Sequence, residues 1–157
     1  MPTTPPVLDR INQAVSLAFR GDRPGAREAL EAIWDALGTA DEPFARCVLA
    51  HYMADTQDAP EEELRWDLRA LDAALRMTDA EVAEHQAGLT ARGMLPSLHL
   101  NLAEAYRKCS EFEAARKHIA LALKDLDALP ADGYGQMIRG GVERLAATLA
   151  TSPGTTA

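Results

Sequence analysis

HLNLAEAYRKCSEFEAA, His99 to Ala115, is the stretch on which the fold turns. Leu102, Ala103 and Tyr106 share one face of a helix that stops near Cys109-Ser110, and Phe112 and Ala115 open a second. Ile119 and Ala122 continue that second face. The alanines are small where two helices of a hairpin cross closely, and the larger residues fill the space beside the crossing. The expected unit is therefore helix, tight turn, helix.

Working outward, the same spacing recurs near the N-terminus. Ala14-x2-Leu17-x8-Ala26-x3-Leu30-x2-Ile33 reproduces it, with Gly21-Asp22 at the reversal. Apolar residues keep helical spacing between the ends, and no stretch alternates with period two. The expected helices run from about Val7 to Arg20, Pro24 to Leu37, Pro43 to Asp55, Pro60 to Met77, Pro96 to Cys109, Glu111 to Leu129 and Tyr134 to Leu149. Glu61, Glu62 and Glu63 suit the positive end of a helix dipole, and Thr78–Glu81 is a capping-box pattern that allows a short extra helix. Met1–Pro6 and Thr151–Ala157 read as loose tails.

This pattern resembles the tetratricopeptide repeat family, whose period is about 34 residues. His99 stands where the family usually has tryptophan, and Cys109-Ser110 where a glycine is common. Leu49-Ala50-x2-Met53 fits a middle unit, whose second helix fits only after a two-residue insertion, as Leu64-x3-Leu68-x2-Leu71. Ala14 to Ala50 spans 36 residues but Ala50 to Ala103 spans 53, so an inserted segment of about 78–95 interrupts the array. The resemblance covers about Val7–Leu129. It implies an all-α solenoid of helical hairpins in a single domain, 7–150, with units of about 7–40, 43–78 and 96–129. A terminal helix at 134–150 would cap it, because stacked repeats leave the last one uncovered. Tyr134, Met137, Ile138, Val142, Leu145 and Leu149 form that helix's apolar stripe.

Composition narrows the function. The chain has 157 residues, 47% of them hydrophobic, and a net charge of −8. That balance argues against nucleic-acid and anionic-membrane partners, which select clustered Lys and Arg. No apolar run approaches a membrane span, and Met1–Leu8 lacks the regions of a signal peptide. Two cysteines fit a reducing, cytoplasmic setting. Thirteen of sixteen basic residues are arginine, which with the abundant alanine suggests a GC-rich, bacterial coding sequence.

The family resemblance implies a concave groove lined by the first helix of each pair, binding a peptide or a partner helix. The residues placed to face it are Phe44, His51 and Asp55 on the third helix, and Ser97, Asn101, Glu104, Arg107 and Lys108 on the helix that follows Pro96. Asn101 matches an asparagine common in the family at that place. The chaperone-binding, charge-clamp subfamily fits poorly, since Ile11, Val15 and Val48 occupy its polar positions. Leu8, Ile11, Val15 and Phe19 belong to a first helix that is apolar nearly all round, so the chain, another subunit or a partner must cover it. Homodimerisation through this end, and hence a self-associating scaffold, is one alternative.

An alternative of another class is a small thiol- or metal-dependent enzyme built on Cys47-x3-His51-x3-Asp55. Successive turns stack those side chains in a line instead of converging them, and His85, His99 and His118 have no ligand-like spacing. The reading adopted is a binding protein with no chemistry, cofactor or metal of its own. Asp132–Gly141, DGYGQMIRGG, holds four of the ten glycines but has no strand before it and no Gly-Lys-Ser/Thr, so it is no phosphate loop. Asp132 is expected to cap the last helix, and Gly140 and Gly141 to mark a close crossing with a neighbouring helix.

Overall fold

The computed structural model describes residues 6–154, and no strand occurs among them. In chain order the helices are α1 (Val7–Phe19), α2 (Arg23–Leu37), α3 (Pro43–Asp55), α4 (Pro60–Ala74), α5 (Asp79–His85), α6 (Ala91–Lys108), α7 (Phe112–Lys124) and α8 (Gly133–Ala150), with a 3-10 turn at Leu126–Ala128. The fold class is all-α, as expected. Contacts divide the chain into two compact units, Met1–Ala73 and Ala74–Ala157, where the sequence reading has one domain.

In the first unit, α1 and α2 form a hairpin. Gly21 turns the chain at φ +91°, a conformation that side chains resist, and Asp22 then accepts a hydrogen bond from Gly25 N at 2.9 Å to start α2. Ala14, Ala26 and Leu30 are buried at the crossing. Arg23 and Arg27 of α2 secure the end of α3. They donate to the carbonyls of Asp55, Thr56 and Gln57 and meet the Asp58 carboxylate at 2.8 and 3.2 Å, which satisfies carbonyls that a helix end leaves open. Arg46 performs a similar task inside. Its buried side chain donates to Gly38 O at 2.6 Å and to Ala40 O at 3.0 and 3.1 Å, fixing the α2–α3 connection. Trp34 and Trp66 pack edge to face at 5.0 Å, with the Arg46 guanidinium 5.2 Å from the Trp34 ring and that of Arg69 4.2 Å from Trp66.

The second unit opens with the expected capping box: Glu81 N donates to the Thr78 hydroxyl and Thr78 N to the Glu81 carboxylate, so α5 forms. Asp79 then accepts from Ala91 N at 2.9 Å, pinning the start of α6. That start lies five residues earlier than expected. The Thr90 hydroxyl, accepting from Gly93 N at 3.0 Å, is the true cap, and Pro96 sits within the helix. A proline costs a helix the one hydrogen bond its own nitrogen would have donated, and packing of α6 outweighs that loss. The irregular connection before α6 is correspondingly shorter than the expected inserted segment.

Ala103 on α6 and Ala115, Ile119 and Ala122 on α7 form the core with Ile138, Val142, Leu145 and Leu149 of α8, and Tyr106 and Phe112 pack against it. Ser110 takes φ +61° at the α6–α7 reversal, so the left-handed turn is made without the glycine that suits it. Besides the start of α6, two expected helix ends miss by three residues or more, those of α4 and α7, and the other ends agree to within one residue. α4 stops at Ala74, α7 stops at Lys124 with a 3-10 turn beyond it, and α8 begins at Gly133 under the Asp132 cap, which accepts from Gly135 N at 2.9 Å. Met137, placed in the buried stripe by periodicity, is 61% exposed. It lies at the edge of a stripe that Ile138 and Val142 already fill. The tails were expected to be loose. Residues 1–5 and 155–157 lie outside the described residues, but Thr151–Gly154 form a turn whose Pro153 carbonyl accepts from Arg116 at 3.4 Å.

Candidate functional site

The largest concentration of expected binding residues lies between α6 and α8. An open cleft of about 490 Å³ is lined by Leu100, Asn101, Glu104 and Arg107 from α6 and by Gly141, Arg144, Leu145 and Thr148 from α8. Two structural choices create it. Asn101, Glu104 and Arg107 lie off the Leu102–Ala103 face that α6 turns to the core, so they stay at the surface beside α8. Gly141 supplies the floor: a Cβ there would lie 2.8 Å from Leu100 Cδ2, so the end of the Leu100 side chain would have to shift to admit one. Of the two glycines expected at a close crossing, Gly141 is the one whose Cβ position meets a neighbouring helix, through the Leu100 side chain. At Gly140 the nearest group is the guanidinium of Arg144 from the same helix, with Nη1 3.0 Å from where a Cβ would be.

Electrostatically the cleft has a fixed pair and an open cation. Arg107 donates to Glu104 twice, at 2.6 and 2.9 Å, and this holds the Glu104 carboxyl below its ordinary pKa and the guanidinium above its own. Arg144 is exposed and has no carboxylate at ion-pair distance among the described residues. Two arginines against one glutamate make the cleft locally cationic in a chain of net charge −8. Thr148 and Asn101 add hydrogen-bonding groups, and Leu100 and Leu145 an apolar wall. Such a surface can hold an anionic group at Arg144 and peptide amides along Asn101.

Ser97 and Lys108 are not among the residues lining this cleft. Ser97 bonds back to Met94 O at 3.1 Å, and Lys108 is exposed at the end of α6. Phe44, His51 and Asp55 belong to the first unit. There Asp55 pairs with His51 at 3.7 Å and lines a smaller cleft of about 240 Å³ with Val15, Phe19, Tyr52 and Thr56. Of the four residues expected to self-associate, Phe19 stands out, at 86% exposed, while Leu8 and Val15 are half-buried. Ile11 is a correction. It is fully buried, because its position on α1 faces the same interior as Ala14, so it presents nothing to a partner.

The Cys47–His51–Asp55 line does not assemble as an activated thiol. Cys47 is buried, and burial pushes its pKa up to about 12, which keeps the thiol protonated at neutral pH. Among the described residues, no three of His, Cys, Asp and Glu gather as a metal site would require. The histidines hold a second correction. His99 on α6 and His118 on α7, without ligand-like spacing in sequence, meet with Nδ1 atoms 3.0 Å apart. Their ring centroids lie 5.2 Å apart with the edges facing, and Tyr106 stacks on His118 at 5.3 Å. A signal for this existed. His99 lies eleven residues before Ser110 and His118 eight after it, so an antiparallel hairpin brings them to within about one helical turn of each other.

Comparison with family models, curated proteins and solved structures finds no match to this chain. No helix among the described residues is long and apolar enough to cross a membrane.

Proposed function

We propose that this chain is a protein-binding adaptor of the tetratricopeptide type, which takes an extended peptide or a partner helix in the α6–α8 cleft and performs no chemistry. The observation that carries the reading is the convergence of Asn101, Glu104 and Arg107 on one open cleft facing the unpaired Arg144. The preferred occupant presents a carboxylate to Arg144, backbone amides to Asn101 and an apolar side chain to Leu100 and Leu145. Two cysteines that form no disulfide fit a reducing compartment, and on that account we place the adaptor in the cytoplasm.

The test is site-specific photo-crosslinking in the native cell from Thr148, in the wild type and in Asn101→Ala/Arg107→Ala and Arg144→Glu variants. A discrete adduct that both variants lose while keeping their helical content supports the adaptor. An adduct pattern indifferent to both variants contradicts it.

A second reading is favoured by Phe19. An 86% exposed phenylalanine beside an apolar cleft of about 240 Å³ supplies both a knob and a hole on one patch, which is what a two-fold homodimer needs. Light scattering across a wide concentration range decides it. A dimer abolished by Phe19→Asp supports self-association, and a concentration-independent monomer mass removes it.

A further inference from the structure

We propose that His99 and His118 form a proton-controlled latch on the α6–α7 hairpin, tied by one shared N–H when neutral and released when both rings are protonated. The geometry dictates the chemistry. With Nδ1 facing Nδ1 at 3.0 Å, one ring must carry its hydrogen on Nδ1 and donate, and the other must carry it on Nε2 and accept. A first added proton goes to the free Nε2 of the donor ring. That ring becomes a cation whose Nδ1–H still donates, so the tie survives. A second proton can go only to the accepting Nδ1. It consumes the lone pair that made the bond and sets two cationic Nδ1–H groups against each other, so the pair must part.

The surroundings hold the latch shut at neutral pH. His99 is buried, and burial lowers its pKa, with Asp125 of the following turn opposing that shift. Arg92, at the start of α6, already engages Asp125 at 2.8 Å and blunts that help. His118 is lowered to about 4, first by burial and then by the His99 and Lys117 charges, while Tyr106 stacks on its ring. Both folded-state values lie below the ordinary 6.5, so an unfolded chain binds these protons first as pH falls. The pair's contribution to stability is therefore full above about pH 6.5 and is lost progressively toward about pH 4, where the second proton parts the rings.

Two readouts on the full chain test this. The first is a long-range proton–nitrogen spectrum of the histidine rings at pH 7. One ring of the pair is expected as the Nδ1–H tautomer, with His118 protonating at least one pH unit below a free histidine. Two Nε2–H tautomers, or ordinary midpoints for both rings, would overturn the latch. The second compares wild type with His118→Phe, which keeps a stacking ring that cannot take a proton. Between pH 7 and pH 5 the wild-type unfolding constant should rise about tenfold more than the variant's, after allowance for the solvated side of His118. Amide protection in α7, corrected for intrinsic exchange, should fall in wild type only. Equal pH responses would overturn the proposal. If His118→Phe does not fold, the tautomer spectrum of the wild type decides alone.

Discussion

Replacing Gly135 by alanine tests how the last helix is started. A Cβ at Gly135 would lie 1.9 Å from the Pro130 carbonyl oxygen and 3.1 Å from its carbon, against ordinary carbon–oxygen contacts of about 3.3 Å or more. The Pro130–Asp132 turn would have to retreat by more than an ångström. Retreat also pulls the Asp132 side chain from Gly135 N, now 2.9 Å away. Losing that cap costs about 1 kcal/mol, and forced repacking adds about 1–3 kcal/mol. Alanine's better helix propensity returns up to about 1 kcal/mol. The net expectation is destabilisation by about 2 kcal/mol, or a Tm lower by about 4–8 °C for a chain of this size. Gly133→Ala is the matched control, two residues away in the same turn. Nothing lies within 4 Å of its Cβ position, so alanine there is neutral or stabilising. Thermal and urea unfolding followed by circular dichroism separates the two. Gly135→Ala at or above wild-type stability would refute the reasoning.

Gly141→Leu should destabilise by about 1–3 kcal/mol, because its Cβ would displace Leu100 Cδ2, 2.8 Å away, and its branches must also be fitted beside α6; unchanged urea unfolding would show that Leu100 moves aside freely. Arg46→Met should cost about 2 kcal/mol by stranding the Gly38 and Ala40 carbonyls, measurable by the same unfolding assay. Cys47, with a pKa near 12, should label at least about a hundredfold more slowly in the folded chain than in urea, as followed by mass spectrometry. Rapid labelling of the native chain would mean that α3 opens readily.

Much of the helical framework was legible because small and large residues alternate where helices cross. Ala103, Ala115 and Ile119 are buried where the spacing placed them, and so are Ala14, Ala26 and Leu30. Helix ends were less legible. The start of α6 is hidden because its cap, Thr90 accepting from Gly93 N, lacks the acidic residue of a capping box, while Pro96 downstream looks like a boundary. Periodicity gives direction and not depth, which is why it puts Met137 inside and does not separate buried Ile11 from exposed Phe19 on an all-round apolar helix. The cleft was half legible. Its α6 side follows from the stripe opposite Ala103, while Arg144 and Thr148 enter only through the packing of α8. The histidine pair depends on hairpin register, which a motif scan along one chain does not see. Arg46 was invisible for a related reason, since a buried arginine needs carbonyls from a loop whose path the sequence leaves open.

The central claim is that the α6–α8 cleft docks a peptide, and it can be tested without knowing the natural partner. A random peptide library is displayed and selected on the full chain, and the best binders are then titrated into isotope-labelled protein. The account predicts peptides that share an acidic position, shift resonances of Leu100–Arg107 and Gly141–Thr148, and lose at least about tenfold in affinity on Arg144→Glu. Binders that shift other surfaces and ignore Arg144→Glu, or a selection that enriches nothing over an unrelated helical protein, would contradict it.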